Sequence, residues 1–166
     1  MEDMAAQMME LFVNTDSIVQ LFINIFVIAI IPGFCEELMF RGWIQRSLIK
    51  RNNPHVAIWV TAIIFSAIHF QFYGFIPRMI LGAILGYAYY YTGTLWASII
   101  MHALNNTVAV VMGFLQFNGY ISEEIDSVVT MIPYAVASLA VVFAPISMLY
   151  KYNKKDEDAR TGIQNS

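Results

Sequence analysis

Residues 33–43 read GFCEELMFRGW and set Glu36, Glu37 and Arg41 directly after one of the most apolar runs in the chain. Charges in such a place are costly inside a membrane, and an ionisable residue retained there is a functional-site hypothesis by default. The surrounding composition makes the membrane the right frame. Of the 166 residues, 58% are hydrophobic and only 13% charged, about half the roughly 25% of a soluble average, and the mean hydropathy is +0.60. The length suits one domain. A net charge of −3 argues against nucleic acid as a partner. A single cysteine, Cys35, rules out an internal disulfide and a four-cysteine zinc site. The first residues, MEDMAAQMMELF, are acidic and lack the basic region of a secretory signal.

Working outward, residues 1–16 read as an N-terminal amphipathic segment. Six apolar segments follow: Ser17 to Ile31, Gly33 to Lys50, His55 to Phe72, Ile76 to Tyr91, Leu95 to Phe117 and Val128 to Tyr150. Each comes close to the roughly 17–25 residues that span a bilayer, and lipid-embedded backbone must satisfy its own hydrogen bonds. Runs such as VTAIIFSAIHF and WASIIMHALNN do not alternate, which excludes a barrel. The expected fold is therefore all-α, a polytopic transmembrane bundle of about five to six helices over residues 17–150. A polar cytoplasmic tail covers residues 151–166.

Punctuation supports these cuts. Pro32-Gly33 breaks or kinks the chain before the glutamates. Asn52-Asn53-Pro54 is a turn with a helix-starting proline. Gly74 and Pro77 separate the third and fourth segments, and Thr94 is an N-cap after the Thr92–Thr94 turn. Basic residues Arg46, Lys50, Arg51, Lys151, Lys154, Lys155 and Arg160 flank membrane ends, whereas the loop with Glu123, Glu124 and Asp126 has none. The positive-inside rule then places the Lys50 turn and the C-terminus in the cytoplasm. Arg78 alone lies on the wrong side.

The spacing of the buried polar residues predicts convergence. Taking the second and third segments as an antiparallel hairpin, Glu36 lies 16 positions before Asn52 and His69 lies 17 after it, so they share a depth. His102 and Asn106 are four apart and share a face, as do Glu37 and Arg41, in the order that favours an ion pair. One carboxylate, two imidazoles and an amide then point into a common cavity, with Glu37 and Arg41 as supporting residues. A carboxylate with a neutral imidazole suits the activation of water, and a second imidazole with an amide suits donation to an oxyanion. One conflict in depth remains. Glu36 and His69 count to about 22–25 Å from the basic turn, and His102 to only about 12 Å from the Thr92–Thr94 turn. Tilted helices or a dipping turn would reconcile them.

These residues also carry a resemblance. EELMFR (Glu36 to Arg41), FSAIH (Phe65 to His69) and HALNN (His102 to Asn106) match in order the E-E-x-x-x-R, F-x-x-x-H and H-x-x-x-N motifs. The chain thus resembles the CPBP family of type II CAAX prenyl endopeptidases, bacteriocin-processing enzymes and Abi proteins over a motif core of about residues 30–110. The family is commonly larger, with further helices before the glutamate motif. The resemblance implies an intramembrane endopeptidase of the bacterial plasma membrane. Its substrates would be membrane-associated peptides or proteins, either CAAX-type prenylated or bacterial precursor peptides. It implies Glu36 and His69 at the catalytic water, and His102 and Asn106 at the oxyanion. Membrane lipid is the other expected partner.

No cofactor is favoured, since the family's eukaryotic-type members are read as glutamate-dependent. The alternative is zinc on Glu36, His69 and His102, although the H-E-x-x-H spacing of common zinc peptidases is absent. The competing classes are a non-catalytic membrane immunity or scaffold protein of the same fold and a small proton carrier. Away from the motifs, His55 reads as a solvated surface residue and Cys35 as an ordinary buried thiol. Asn105 reads as interhelical hydrogen-bond glue. Tyr87, Tyr89, Tyr90, Tyr91 and Trp96 form an interfacial belt, and Gly82 with Gly86 marks a close helix contact.

Overall fold

The computed structural model describes residues 15–70, 72 and 74–121. The predicted amphipathic segment, except residues 15 and 16, lies outside them, as do the Val128–Tyr150 segment and the tail. The described residues form helices and turns with no strand: α1 (Ile18–Ile49), α2 (Pro54–Ala67), α3 (Phe75–Thr92) and α4 (Leu95–Phe117). Two of these, α1 and α4, are long and apolar enough to cross a membrane.

The first two predicted segments are one helix. Pro32 does not break α1, because the helix is already wound wider before it. Residues Ile25–Ile30 are π-helical, and the N–H of Ile31 bonds back to the carbonyl of Phe26. A proline lacks an N–H and crowds the preceding turn; a π-turn absorbs both defects without ending the helix. A second π-helical run, Leu38–Gln45, follows the glutamates directly and closes with the N–H of Arg46 on the carbonyl of Arg41. Such runs recur at functional sites.

Other boundaries follow local chemistry. The Asn53 side chain accepts the N–H of His55, with Pro54 opening α2. Gly93, at φ 68°, ends α3 in the left-handed region, and the Thr94 side chain accepts the N–H of Trp96 to start α4. The third segment stops short of the predicted Phe72. Helix α2 ends at Ala67, so His69 lies in the turn beyond it, followed by Phe70 at φ 52°. A left-handed phenylalanine is strained, and it turns the chain sharply towards α3. The hydroxyl of Ser66 donates to the carbonyl of Phe75 across this turn at 2.7 Å.

Apolar side chains cover the outside, and the inside holds a set of polar ones among its apolar core. Phe22, Phe26, Phe34, Trp43 and Trp96 are exposed, while Asn24, Glu37, Arg41, Gln45, Thr61, Ser66, Ser98 and His102 are buried. The apolar exterior with buried ionisable groups departs from the soluble pattern and suits a bundle in lipid that keeps such groups inside. Cys35, expected to be buried, sits on this outer surface, because a helix that turns Glu37 inward turns its neighbours two positions away outward.

Helix α2 packs on α3, and α4 lies along the first half of α1. Glycines set the closest approaches. A Cβ on Gly33 would stand 3.0 Å from the backbone nitrogen of Ala103. One on Gly82 would meet Phe65 at 3.1 Å and the Cα of Ala62 at 3.3 Å; one on Gly86 would meet Gln45 at 2.8 Å and Ile58 at 2.9 Å. The G-x-x-x-G step on α3 therefore works as read, letting α3 rest on both α1 and α2.

Candidate functional site

The site is assembled on the inner face of α1. Glu37, Arg41 and Gln45 recur every four residues and are all fully buried. The Arg41 guanidinium pairs with Glu37 Oε1 and donates a second bond to the Gly82 carbonyl at 2.7 Å. Gln45 donates to the Gly86 carbonyl at 2.9 Å. Buried charge is tolerable only when paired and hydrogen-bonded, and these two carbonyls of α3 supply what side chains alone do not. Gln45 was not anticipated from sequence. Its signal was there in the four-residue step from Arg41, although its acceptor is backbone.

Helix α4 brings in His102. Its Nδ1 lies 2.9 Å from Glu37 Oε1, the oxygen that also takes Arg41. A carboxylate accepts, so Nδ1 carries hydrogen and Nε2 faces away from Glu37. That Nε2 lies 3.8 Å from Glu36 Oε2. The two adjacent glutamates thus flank one ring in different ways. Glu37 is enclosed and bonded, while the Glu36 side chain keeps 27% of its surface open. Glu36 Oε2 itself is buried and takes no hydrogen bond among the described residues.

The depth conflict is resolved by the start of α4. Gly42 faces Leu95, whose Cδ1 would lie 3.4 Å from a Cβ there, so α4 begins well inside the end of α1. Seven residues up α4 and six back along α1 then reach the same level, at about 1.5 Å per residue. The close Gly33–Ala103 approach holds that alignment.

His69 reaches the cluster through an aromatic ring. Its Nδ1 donates to the Phe65 carbonyl at 2.8 Å, capping an acceptor that the end of α2 leaves open. In the neutral ring the lone pair is therefore on Nε2. Phe65 lies between the two histidines, with centroids 5.1 Å from His69 and 5.6 Å from His102, and carries Arg41 over its face at 5.1 Å. The structure thus brings Glu36, Glu37, Arg41 and His102 into direct contact and joins His69 to them by Phe65. Asn106 shares a face with His102 one turn on and is partly exposed; its Oδ1 accepts from Asn105 at 3.4 Å, and no hydrogen bond joins it to His102 or Glu36. Among the described residues no three His, Cys, Asp or Glu side chains stand in a metal-holding arrangement, Glu36, His69 and His102 included. The exposed His55 accepts from or donates to the Tyr87 hydroxyl at 3.0 Å, tying α3 to the first turn of α2.

Comparison with known proteins agrees with this architecture. The model of the family described as "Type II CAAX prenyl endopeptidase Rce1-like" matches residues 18–108, a stretch that holds α1, α2, α3 and every residue of the cluster. The chain belongs to this Rce1-like family, and with its apolar exterior it is an integral membrane protein. It is similar to two proteins of Bacillus subtilis (strain 168). "Uncharacterized protein YpbD" is 28% identical over 89 residues, covering 51% of this chain and 43% of that protein. "Putative membrane peptidase YdiL" is 25% identical over 100 residues, covering 60% of this chain and 41% of that protein. The chain therefore spans about two fifths of the length of each. No solved structure matches it.

Proposed function

We infer that the chain is an intramembrane endopeptidase that hydrolyses peptide bonds of membrane-associated substrates, with Glu36 as the base. The observation that carries this reading is the buried Glu36 Oε2, which makes no hydrogen bond among the described residues and faces His102 Nε2 at 3.8 Å. The family membership and the similarity to YdiL support it. The substrates are CAAX-type prenylated peptides or bacterial precursor peptides.

In this mechanism Glu36 and the Nε2 lone pair of His69 hold a water. Glu36 takes one of its protons as the oxygen attacks the scissile carbonyl. His102, in its imidazolium form with Nδ1–H on Glu37, presents Nε2–H to the developing oxyanion, and the Asn106 amide donates beside it. Low surrounding polarity strengthens both bonds. As the tetrahedral species collapses, the C–N bond breaks and Glu36 returns its proton to the leaving amine. Glu37 and Arg41 do no chemistry; they fix the ring of His102. No step runs through a metal ion.

The test uses the full chain in lipid nanodiscs with a farnesylated CAAX reporter peptide. Glu36→Gln, His69→Ala and His102→Ala should each lower the cleavage rate by about 10²-fold or more, with thermal unfolding of Glu36→Gln close to that of the parent. Variants that cut normally, or that lose rate only in proportion to lost folded protein, would leave a scaffold in place of an enzyme.

A further inference from the structure

Arg46 and Lys50 stand where α1 runs on past the start of α4. Gly42, Arg46 and Lys50 follow one another at four-residue steps and share a side of the helix. Gly42 faces Leu95, the first residue of α4. From there α4 runs back along α1 towards Gly33, so it leaves the next turns of α1 uncovered, and Arg46 and Lys50 on them are exposed. Aromatic side chains bracket the pair. Arg41 bonds to Gly82 and Gln45 to Gly86, each 41 positions on, so α3 runs beside the second half of α1 in the same direction. One more turn of both helices sets the exposed Tyr90 beside Ile49, at a level between the two cations. Trp43, one turn before Arg46, is exposed as well. Such rings settle at the depth of the lipid headgroups. Neither cation makes an ion pair or a side-chain hydrogen bond among the described residues. Nor is a described carboxylate near them: Asp16 lies before the opposite end of α1, and Glu36 and Glu37 lie at least nine residues deeper, with Glu37 already bonded to Arg41 and His102.

We propose that Arg46 and Lys50 bind the phosphate of an anionic phospholipid that fills the space past the start of α4. The proposal is independent of the peptidase reading. A guanidinium meets phosphate oxygens with a planar, two-pronged contact, and an ammonium adds a compact charge beside it. Each lysine or arginine at the surface of an anionic leaflet adds to the attraction. A zwitterionic lipid carries its own cation next to the phosphate, and two protein cations repel it, so the site selects headgroups by net charge. The neighbouring apolar surface selects a lipid over a soluble phosphate. Trp43 on α1 and Trp96 at the first turn of α4 are both open, and acyl chains can lie along them while the phosphate stays with the cations. The lipid then takes the place that a longer α4 would occupy beside the end of α1.

The experiment reads lipid contact at the site itself. The full chain carrying Trp59→Phe keeps Trp43 and Trp96 as its tryptophans. It is reconstituted in bilayers that mix phosphatidylcholine with phosphatidylglycerol, with one or the other lipid brominated in its acyl chains. Quenching of the tryptophan fluorescence then gives the relative affinity of the two lipids. At low salt phosphatidylglycerol should be preferred about tenfold. Arg46→Gln with Lys50→Gln should bring the ratio close to one. Lys154→Gln with Lys155→Gln removes the same charge from the tail and should leave the preference in place. Equal affinities in the parent would overturn the proposal. So would a preference that survives the Arg46 and Lys50 changes, or one that the tail changes abolish as fully. An excess of free glycerol phosphate should leave the quenching pattern as it is; displacement of the lipid would give the site to a soluble phosphate and end the lipid assignment. Should the double variant fail to fold by circular dichroism, Arg46→Gln and Lys50→Gln decide singly, since two single variants with the parent's preference also overturn it.

Discussion

Glu37 Oε1 takes a proton donor from each of two directions, Arg41 from its own helix and His102 from α4, whereas Glu36, one residue earlier, faces the same histidine without a bond. Their substitutions should therefore fail differently. Glu37→Gln leaves the Arg41 charge buried and unpaired, and breaking such a pair costs about 3–5 kcal/mol. Its unfolding temperature in detergent should drop well below that of the parent. Glu36→Gln removes a carboxylate whose buried Oε2 accepts no hydrogen bond among the described residues, so stability should change by about 0.5 kcal/mol or less while cleavage is lost. A Glu36→Gln protein as unstable as Glu37→Gln would make the two glutamates a single structural unit.

The helices are positioned by what is missing from their side chains. At Gly33 a Cβ would press on the backbone of Ala103, which cannot swing aside, whereas at Gly82 it would press mainly on the Phe65 ring and Ala62. Overpacking of this kind costs about 1–3 kcal/mol. Gly33→Ala should push α4 away and carry His102 off Glu37, so cleavage should fall by more than the loss of folded protein explains. Gly82→Ala should act mainly through stability, by lengthening the bond from Arg41. Comparable ratios of rate loss to melting-temperature loss in the two variants would show that the α1–α4 contact does not set the site.

Over the whole assembly, the two ends of the bundle are distinct. Asn118 donates to the carbonyl of Thr15 at 2.9 Å, which ties the close of α4 to the start of α1. The turn with Lys50 and Arg51 and the start of α4 lie towards the other end. With Cys35 replaced by serine, a single cysteine at Arg51 should be shielded from an impermeant maleimide added to intact bacterial cells. One at Tyr120 should be labelled. The reverse pattern would invert the orientation that the basic residues suggest.

That test also marks how far the sequence could be read. Helical class, the helix start at Pro54, the cap at Thr94, the Glu37–Arg41 pair and the shared face of His102 and Asn106 were all legible, because each is written within four residues and obeys the helix repeat. Continuity through Pro32 was not, since the π-turn that absorbs the proline lies upstream of it and its sequence, IFVIAI, is ordinary apolar helix. The register of 41 between α1 and α3, the sunken start of α4 and the Phe65 ring between two histidines were decided only in three dimensions. They depend on how closely backbones approach at Gly33, Gly82 and Gly86, a distance fixed by both partners together and encoded in neither segment alone.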